Sequence, residues 1–258
     1  MTTATTGSGP LKRRAKDNQG TEVTPMGFLK QFFKSVFHEG AYARGGNSFE
    51  HISEQQLEAH LGVCSYDGFE LTEAVRPAFD LKVIPKQGYR RDIYRDEETR
   101  SSVPVLMGSA TKDNLFETFM ELLDPLGPEV DVVLESSHYR EPADDHADLY
   151  REHIDMPVLK SILWDYEDLL LHCGCTGIAV LNPNTPQEVQ FDEHKLLIVY
   201  GNDLTPFENV FHQRDVYPEA DLKFITEAEH VHSSNERFQQ QFEELRMRLG
   251  MDHSLSYH

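Results

Sequence analysis

From Ser48 onward the chain alternates between short apolar runs and segments whose apolar residues recur every three to four positions, the patterns of strands and amphipathic helices. Ser53-Glu54-Gln55-Gln56 has the spacing of a capping box, and Gly62 is expected to close that first helix in a left-handed conformation. Val63 to Leu71 contains Asp67-Gly68, which tolerates the positive φ of a tight hairpin turn. Phe79 to Ile84 is expected to be a strand, and the polar run Arg90 to Ser102 a solvated loop. A strand over Val103 to Met107 precedes a helix marked by Leu115, Phe116, Phe119, Leu122 and Leu123. A further strand spans Val130 to Leu134, and a loose acidic helix is expected over Asp144 to His153.

The second half opens with Asp155 as N-cap and Pro157 in the first turn, where its missing N–H costs nothing. Val158, Leu159, Ile162, Leu163, Tyr166, Leu169 and Leu170 form one stripe, so a single helix is expected up to Gly174. Ile178 to Leu181 and Glu188 to Phe191 make a hairpin, and Leu196 to Val199 a third strand. Thr205-Pro206-Phe207-Glu208 starts a short helix, Leu222 to Ile225 forms a last strand, and Ser233 with Glu236 caps a closing helix through Phe238, Phe242, Leu245 and Leu249.

Each half thus runs helix, three strands, helix, strand, helix. The expectation is an α+β fold of two tandem pseudo-repeats, 48–153 and 154–250, with mostly antiparallel or mixed sheet and helices on one face, followed by a tail at 251–258.

Residues 1–46 differ in kind. The first 25 are nearly devoid of apolar side chains and are expected to be disordered. Over 27–37 the residues Phe28, Leu29, Phe32, Phe33, Val36 and Phe37 fall on one face of a short helix, with Lys30 and Lys34 off it. Charge separates this arm from the body. It holds seven Lys and Arg against three Asp and Glu, a net +4, which leaves 17 basic against 41 acidic residues, a net −24, in the rest of a chain whose total is −20. A body so acidic repels nucleic acid and anionic membrane, leaving such contacts to the arm. The apolar face of the arm is read as docking onto the protein's own body or onto a protein partner.

No apolar run has the roughly 20 residues of a membrane span or the core of a signal peptide. Three cysteines, Cys64, Cys173 and Cys175, suit a reducing compartment, so the expected location is cytoplasmic.

Four groups could carry chemistry. In Glu227, His230 and His232, a His-x-His pair on an extended segment points both imidazoles to one side, and a nearby carboxylate completes a divalent metal site. Glu236 follows at the spacing of the first cupin motif, but the expected glycines and following strand are missing, and its place in the capped helix accounts for it. His172-Cys173-Gly174-Cys175 has soft ligands without a second cysteine pair. Gly108-Ser109-Ala110-Thr111-Lys112 is a turn before a helix without P-loop spacing. Finally, Glu135 with His138 and Glu227 with His230 end corresponding strands and would converge if a pseudo-twofold axis related the halves.

Two readings follow. The first is a non-catalytic acidic binding or adaptor protein, without cofactor, whose basic arm contacts a partner or its own body. The second is a metal-dependent hydrolase with its site on Glu227, His230 and His232.

Overall fold

The structure is a computed structural model and describes residues 36–39, for the backbone alone, 47–95, 102–138 and 149–251. The expected helix over 27–37 lies outside them except for Val36 and Phe37. These two belong instead to a strand, β1 (Val36–Glu39), whose backbone pairs antiparallel with a strand near the other end of the chain.

Helix α1 (Glu54–Leu61) starts from Ser53 with the reciprocal Ser53/Gln56 capping box. Gly62 closes it in the right-handed region, φ −75, rather than the left-handed one. Strands β2 (Ser65–Tyr66) and β3 (Phe69–Glu70) form the hairpin around Asp67 and Gly68, at φ 47 and 84. After β4 (Val75–Pro77), the strand expected over Phe79 to Ile84 is absent; the backbone turns there, with Leu81 at φ 50.

The expected solvated loop at Arg90 to Ser102 is in part a strand, β5 (Gly88–Arg95), paired along its length with β6 (Ser102–Ser109). It is an edge strand with most side chains exposed, so no apolar alternation marks it. Helix α2 (Lys112–Leu122) leads to β7 (Glu129–Ser136). Where the acidic helix was expected, the described part, from Leu149, is a strand, β8 (Leu149–Asp155).

The long second-half helix is two: α3 (Met156–Trp164) and α4 (Glu167–His172). The break lies at Asp165 and Tyr166, whose N–H groups bond three residues back, to Ile162 and Leu163, and tighten the turn. The buried stripe continues across it through Leu163, Tyr166 and Leu169, which is why periodicity alone does not reveal it. Strands β9 (Thr176–Leu181), β10 (Glu188–Phe191) and β11 (Leu197–Tyr200) precede helix α5 (Thr205–Gln213).

The apolar run Leu222 to Ile225 is not a strand. Leu222 and Phe224 are buried beside Leu196 as irregular chain entering a 3-10 turn at Ile225–Glu227. The last strand is β12 (His230–Ser233), and the closing helix α6 (Glu236–Arg248) is capped by Asn235, whose side chain accepts from the Phe238 N–H, rather than by Ser233.

These strands form a seven-stranded antiparallel sheet, ordered β5-β6-β11-β10-β9-β7-β8, and a small sheet, β1-β12-β4. The fold is therefore α+β. The large sheet takes strands from both halves of the chain, so the expected division at 153/154 does not separate two sheets. Helices α2 to α6 cover one face, burying Phe116, Phe119, Leu163, Phe207, Phe211 and Phe242 against residues such as Leu106, Val132, Val180 and Phe191. Each such side chain contributes about 1.5–3 kcal/mol when fully buried. Gly108 in β6 permits the close approach of α5, since a Cβ there would lie 2.7 Å from the Phe211 ring. The small sheet has its own apolar cluster, Phe49, Leu57 and Val231. No helix among the described residues is long and apolar enough to cross a membrane.

Candidate metal centre

The period of two along β12 decides what each of its side chains meets. Val231, fully buried, joins Phe49 and Leu57 beside α1. His230 and His232, 1% and 2% exposed, point the other way. Both neighbours fix the strand: His230 and His232 lie opposite Pro77 and Val75 of β4, and opposite Glu39 and Phe37 of β1.

The buried side of this pair meets the turn between β10 and β11. That turn is shaped by Asp192: its Oδ1 accepts from the Leu196 N–H at 2.8 Å, and its carbonyl accepts from the Lys195 N–H at 3.0 Å, with Lys195 at φ 65. Asp192 Oδ2 accepts from His194 Nδ1 at 2.8 Å, which aims that ring at β12. The His194 ring centroid lies 5.0 Å from that of His230 and 4.8 Å from that of His232, and the latter two are 5.1 Å apart. One potential ligand atom from each of the three side chains lies within 4.8 Å of the others, and among the described residues no other set of three His, Cys, Asp or Glu could hold an ion in this way.

Each ring is held from behind through Nδ1. Besides the Asp192 contact, His230 Nδ1 lies 2.8 Å from the Ala228 carbonyl and His232 Nδ1 lies 2.6 Å from the Gly174 carbonyl. A carbonyl oxygen can only accept, so both of these Nδ1 atoms carry hydrogen, and a neutral ring then has its lone pair on Nε2. Three such imidazoles, each oriented by an outer carbonyl or carboxylate, suit a divalent transition metal and leave a position for a non-protein ligand. Tetrahedral zinc ligands at about 2.0–2.1 Å sit roughly 3.3 Å from one another, so binding draws the nitrogens together by about 1.5 Å at most.

Beside His194 a cavity of about 40 Å³ is lined largely by apolar side chains, among them Leu71, Val75, Leu115 and Phe224, together with Lys195. That is room for a water or two. The Lys195 ammonium is buried, donates to the Thr176 carbonyl at 3.0 Å and lies over the Phe191 ring. Burial pushes its pKa down, with the Cys173 sulfur and then Asp192 acting in the opposite direction.

Of the residues expected to bind metal, His230 and His232 come together, while Glu227 is placed elsewhere. Its Oε1 accepts from Arg90 Nη1 at 3.0 Å and from the Phe224 N–H at 3.2 Å, closing the 3-10 turn. His194 stands in its stead. The residues at and after the end of β7 make contacts of their own: His138 Nε2 lies 3.3 Å from Cys173 Sγ, and Glu135 is on β7 opposite Gly177. His172 is turned away, accepting from the Glu73 N–H at 3.1 Å. Phe28, Leu29, Phe32 and Phe33 lie outside the described residues, and Val36 and Phe37 are placed in β1 by their backbone. The signal for His194 was local: an Asp two residues before a His in a hairpin turn, able to present and orient that ring.

Comparison of the chain with protein-family models, with curated proteins and with solved structures finds no match.

Proposed function

We propose that this chain binds one divalent transition metal, zinc foremost, through His194, His230 and His232, and that the centre acts in hydrolysis. The observation that carries this reading is the fixing of all three Nδ1 atoms by Asp192, Ala228 and Gly174, the outer-shell arrangement of ligating imidazoles. A metal on three protein ligands supplies Lewis acidity to a water or a carbonyl oxygen in its remaining position. The chain's part is to hold three neutral rings at fixed orientation. The small, odd set of three cysteines supports a reducing compartment such as a cytoplasm.

Metal analysis of the purified protein tests the reading. About one equivalent is expected in the native chain, with loss in His194→Ala and in the His230→Ala, His232→Ala double variant, and a metal-dependent hydrolysis of a chromogenic ester that the same variants abolish. Metal far below one equivalent, unchanged by the substitutions, overturns it.

A second reading, a non-catalytic binding protein whose N-terminal arm contacts its own body, draws on the antiparallel pairing of β1 with β12. Removal of residues 1–46 takes away that strand. If stability, oligomeric state and captured partners all stay unchanged, the arm has no such role.

A further inference from the structure

Next to the three histidines, on the far side of Gly174, lies a second group of reactive side chains. The Cys173 sulfur, with no exposed surface, is surrounded by polar partners: His138 Nε2 at 3.3 Å, Ser234 Oγ at 3.2 Å, the Thr176 hydroxyl donating at 3.3 Å and the Cys175 N–H donating at 3.4 Å. Sulfur is a weak acceptor as a thiol and a strong one as a thiolate, so two fixed donors, with the His138 imidazole and the Ser234 hydroxyl able to add two more, suit it to carry negative charge. Thr176, which donates to the sulfur, also offers its carbonyl to the Lys195 ammonium, placing a buried cation nearby. His138 is half-buried and packs on Phe242, so solvent reaches the sulfur's imidazole partner. The neighbouring Cys175, followed by His138, lowers the Cys173 pKa against the effect of burial, and the same pairing raises that of Cys175.

We propose that Cys173 is a peroxide-reactive thiol and that Cys175 resolves its oxidised form, giving a Cys173–Cys175 disulfide. In the first step the thiol proton rests on His138 and the thiolate attacks one oxygen of the peroxide. An S–O bond forms and the O–O bond breaks; the departing hydroxide or alkoxide takes the proton from His138, leaving sulfenic acid and water or an alcohol. In the second step the Cys175 sulfur attacks the Cys173 sulfur. The S–S bond forms, the S–O bond breaks, and hydroxide leaves as water with the Cys175 proton. Two thiols are oxidised and one peroxide is reduced. The substrate class is a small uncharged peroxide, since the sulfur itself is enclosed.

Cys64 provides the internal contrast, because it is the exposed cysteine and its thiol donates to the Gly62 carbonyl at 3.4 Å. If exposure governs, Cys64 reacts first; if the polar cluster governs, Cys173 does.

The test is treatment of the full chain with a small excess of hydrogen peroxide, followed by peptide mass mapping. The peptide containing both Cys173 and Cys175 is expected to lose two hydrogens while Cys64 stays reduced. Cys175→Ser is expected to gain one oxygen at Cys173, trapped by a cyclic 1,3-dione. His138→Phe, which keeps the ring against Phe242, is expected to slow the reaction roughly tenfold. Oxidation at Cys64 with the Cys173–Cys175 peptide unchanged overturns the proposal, as does a His138→Phe rate equal to that of the native chain. The mapping of the native chain needs no variant, so a folding defect in either substitution leaves the main outcome readable.

Discussion

His232 Nδ1 donates to the Gly174 carbonyl at 2.6 Å, and the Gly174 N–H donates in turn to the carbonyl of Ser233, one residue further along the same strand, at 2.8 Å. The turn after α4 is thereby joined to β12 by a backbone clasp that also orients a candidate ligand. Only glycine fits. A Cβ at position 174 would lie 2.4 Å from the Ala74 carbonyl oxygen and 3.0 Å from both N and O of Ser233, and the backbone of β12 and of the residue leading into β4 has little room to retreat. Gly174→Ala is expected to destabilise the fold by about 2–3 kcal/mol, seen as a fall in Tm of roughly 5–10 °C. It is also expected to weaken metal binding about tenfold by shifting the carbonyl that holds His232. A Tm within a degree of the native value would show that the clasp is slack.

Arg214 makes a second long-range tie, between the end of α5 and α2. Its guanidinium donates through Nε to Glu121 Oε2 at 2.8 Å, through Nη2 to Glu121 Oε1, and through Nη1 to Glu117 Oε2 at 2.5 Å. Hydrogen bonding from Arg214 lowers the Glu121 pKa. A depressed carboxylate contributes stability above its unfolded pKa, about 4.3, and that contribution is lost as pH falls through the folded value. Arg214→Lys keeps the charge but cannot reproduce the fork. It is expected to cost about 1 kcal/mol at neutral pH, with a smaller loss of stability between neutral and acid pH than the native chain shows in urea denaturation.

The α+β class was legible because the apolar runs are short and broken by turn residues, as at Asp67-Gly68 and between β9 and β10. Features that depend on distant partners were not. β5 has exposed side chains on an edge, so its identity as a strand comes from hydrogen bonds to β6 rather than from its own pattern. Leu222 and Phe224 look like strand residues but are buried as irregular chain. At the candidate site, the His-x-His alternation of β12 was visible, with Val231 between the rings as the core-facing residue. Glu227 was singled out because it is near in sequence, yet a 3-10 turn and Arg90 claim its carboxylate, whereas His194 arrives from another hairpin. No local pattern encodes that meeting.

Tyr200 on β11 gives an alkaline counterpart to the Glu121 effect. Burial, with Glu188 adding next, pushes its phenol up to about 12. A raised phenol pKa means the contribution to stability is fully present below the unfolded value near 10 and is lost as pH rises through about 12. Tyr200→Phe removes the ionisable group while keeping the ring beside Tyr94, whose centroid is 5.8 Å away. Between pH ~10 and ~12, the native chain is therefore expected to lose stability more steeply than the variant. Parallel denaturation slopes for the two would mean that the Tyr200 hydroxyl ionises as freely folded as unfolded.

Asp192 separates orientation from ligation at the candidate metal centre. Its Oδ1 accepts from the Leu196 N–H and shapes the turn, while its Oδ2 accepts from His194 Nδ1 and sets the tautomer. In Asp192→Asn the amide oxygen can keep the Leu196 bond, but the amide nitrogen then faces His194 and can only donate. The imidazole must expose a lone pair at Nδ1 and carry its proton on Nε2, the nitrogen that ligation needs bare, or turn out of place. The turn should survive, so stability is expected to change by less than about 1 kcal/mol. Zinc affinity, measured by competition with a chromophoric chelator, should fall about 10–100-fold. Equal affinity for Asp192→Asn and the native chain would mean that His194 does not bind metal through Nε2, and the three-histidine centre would have to be abandoned in that form.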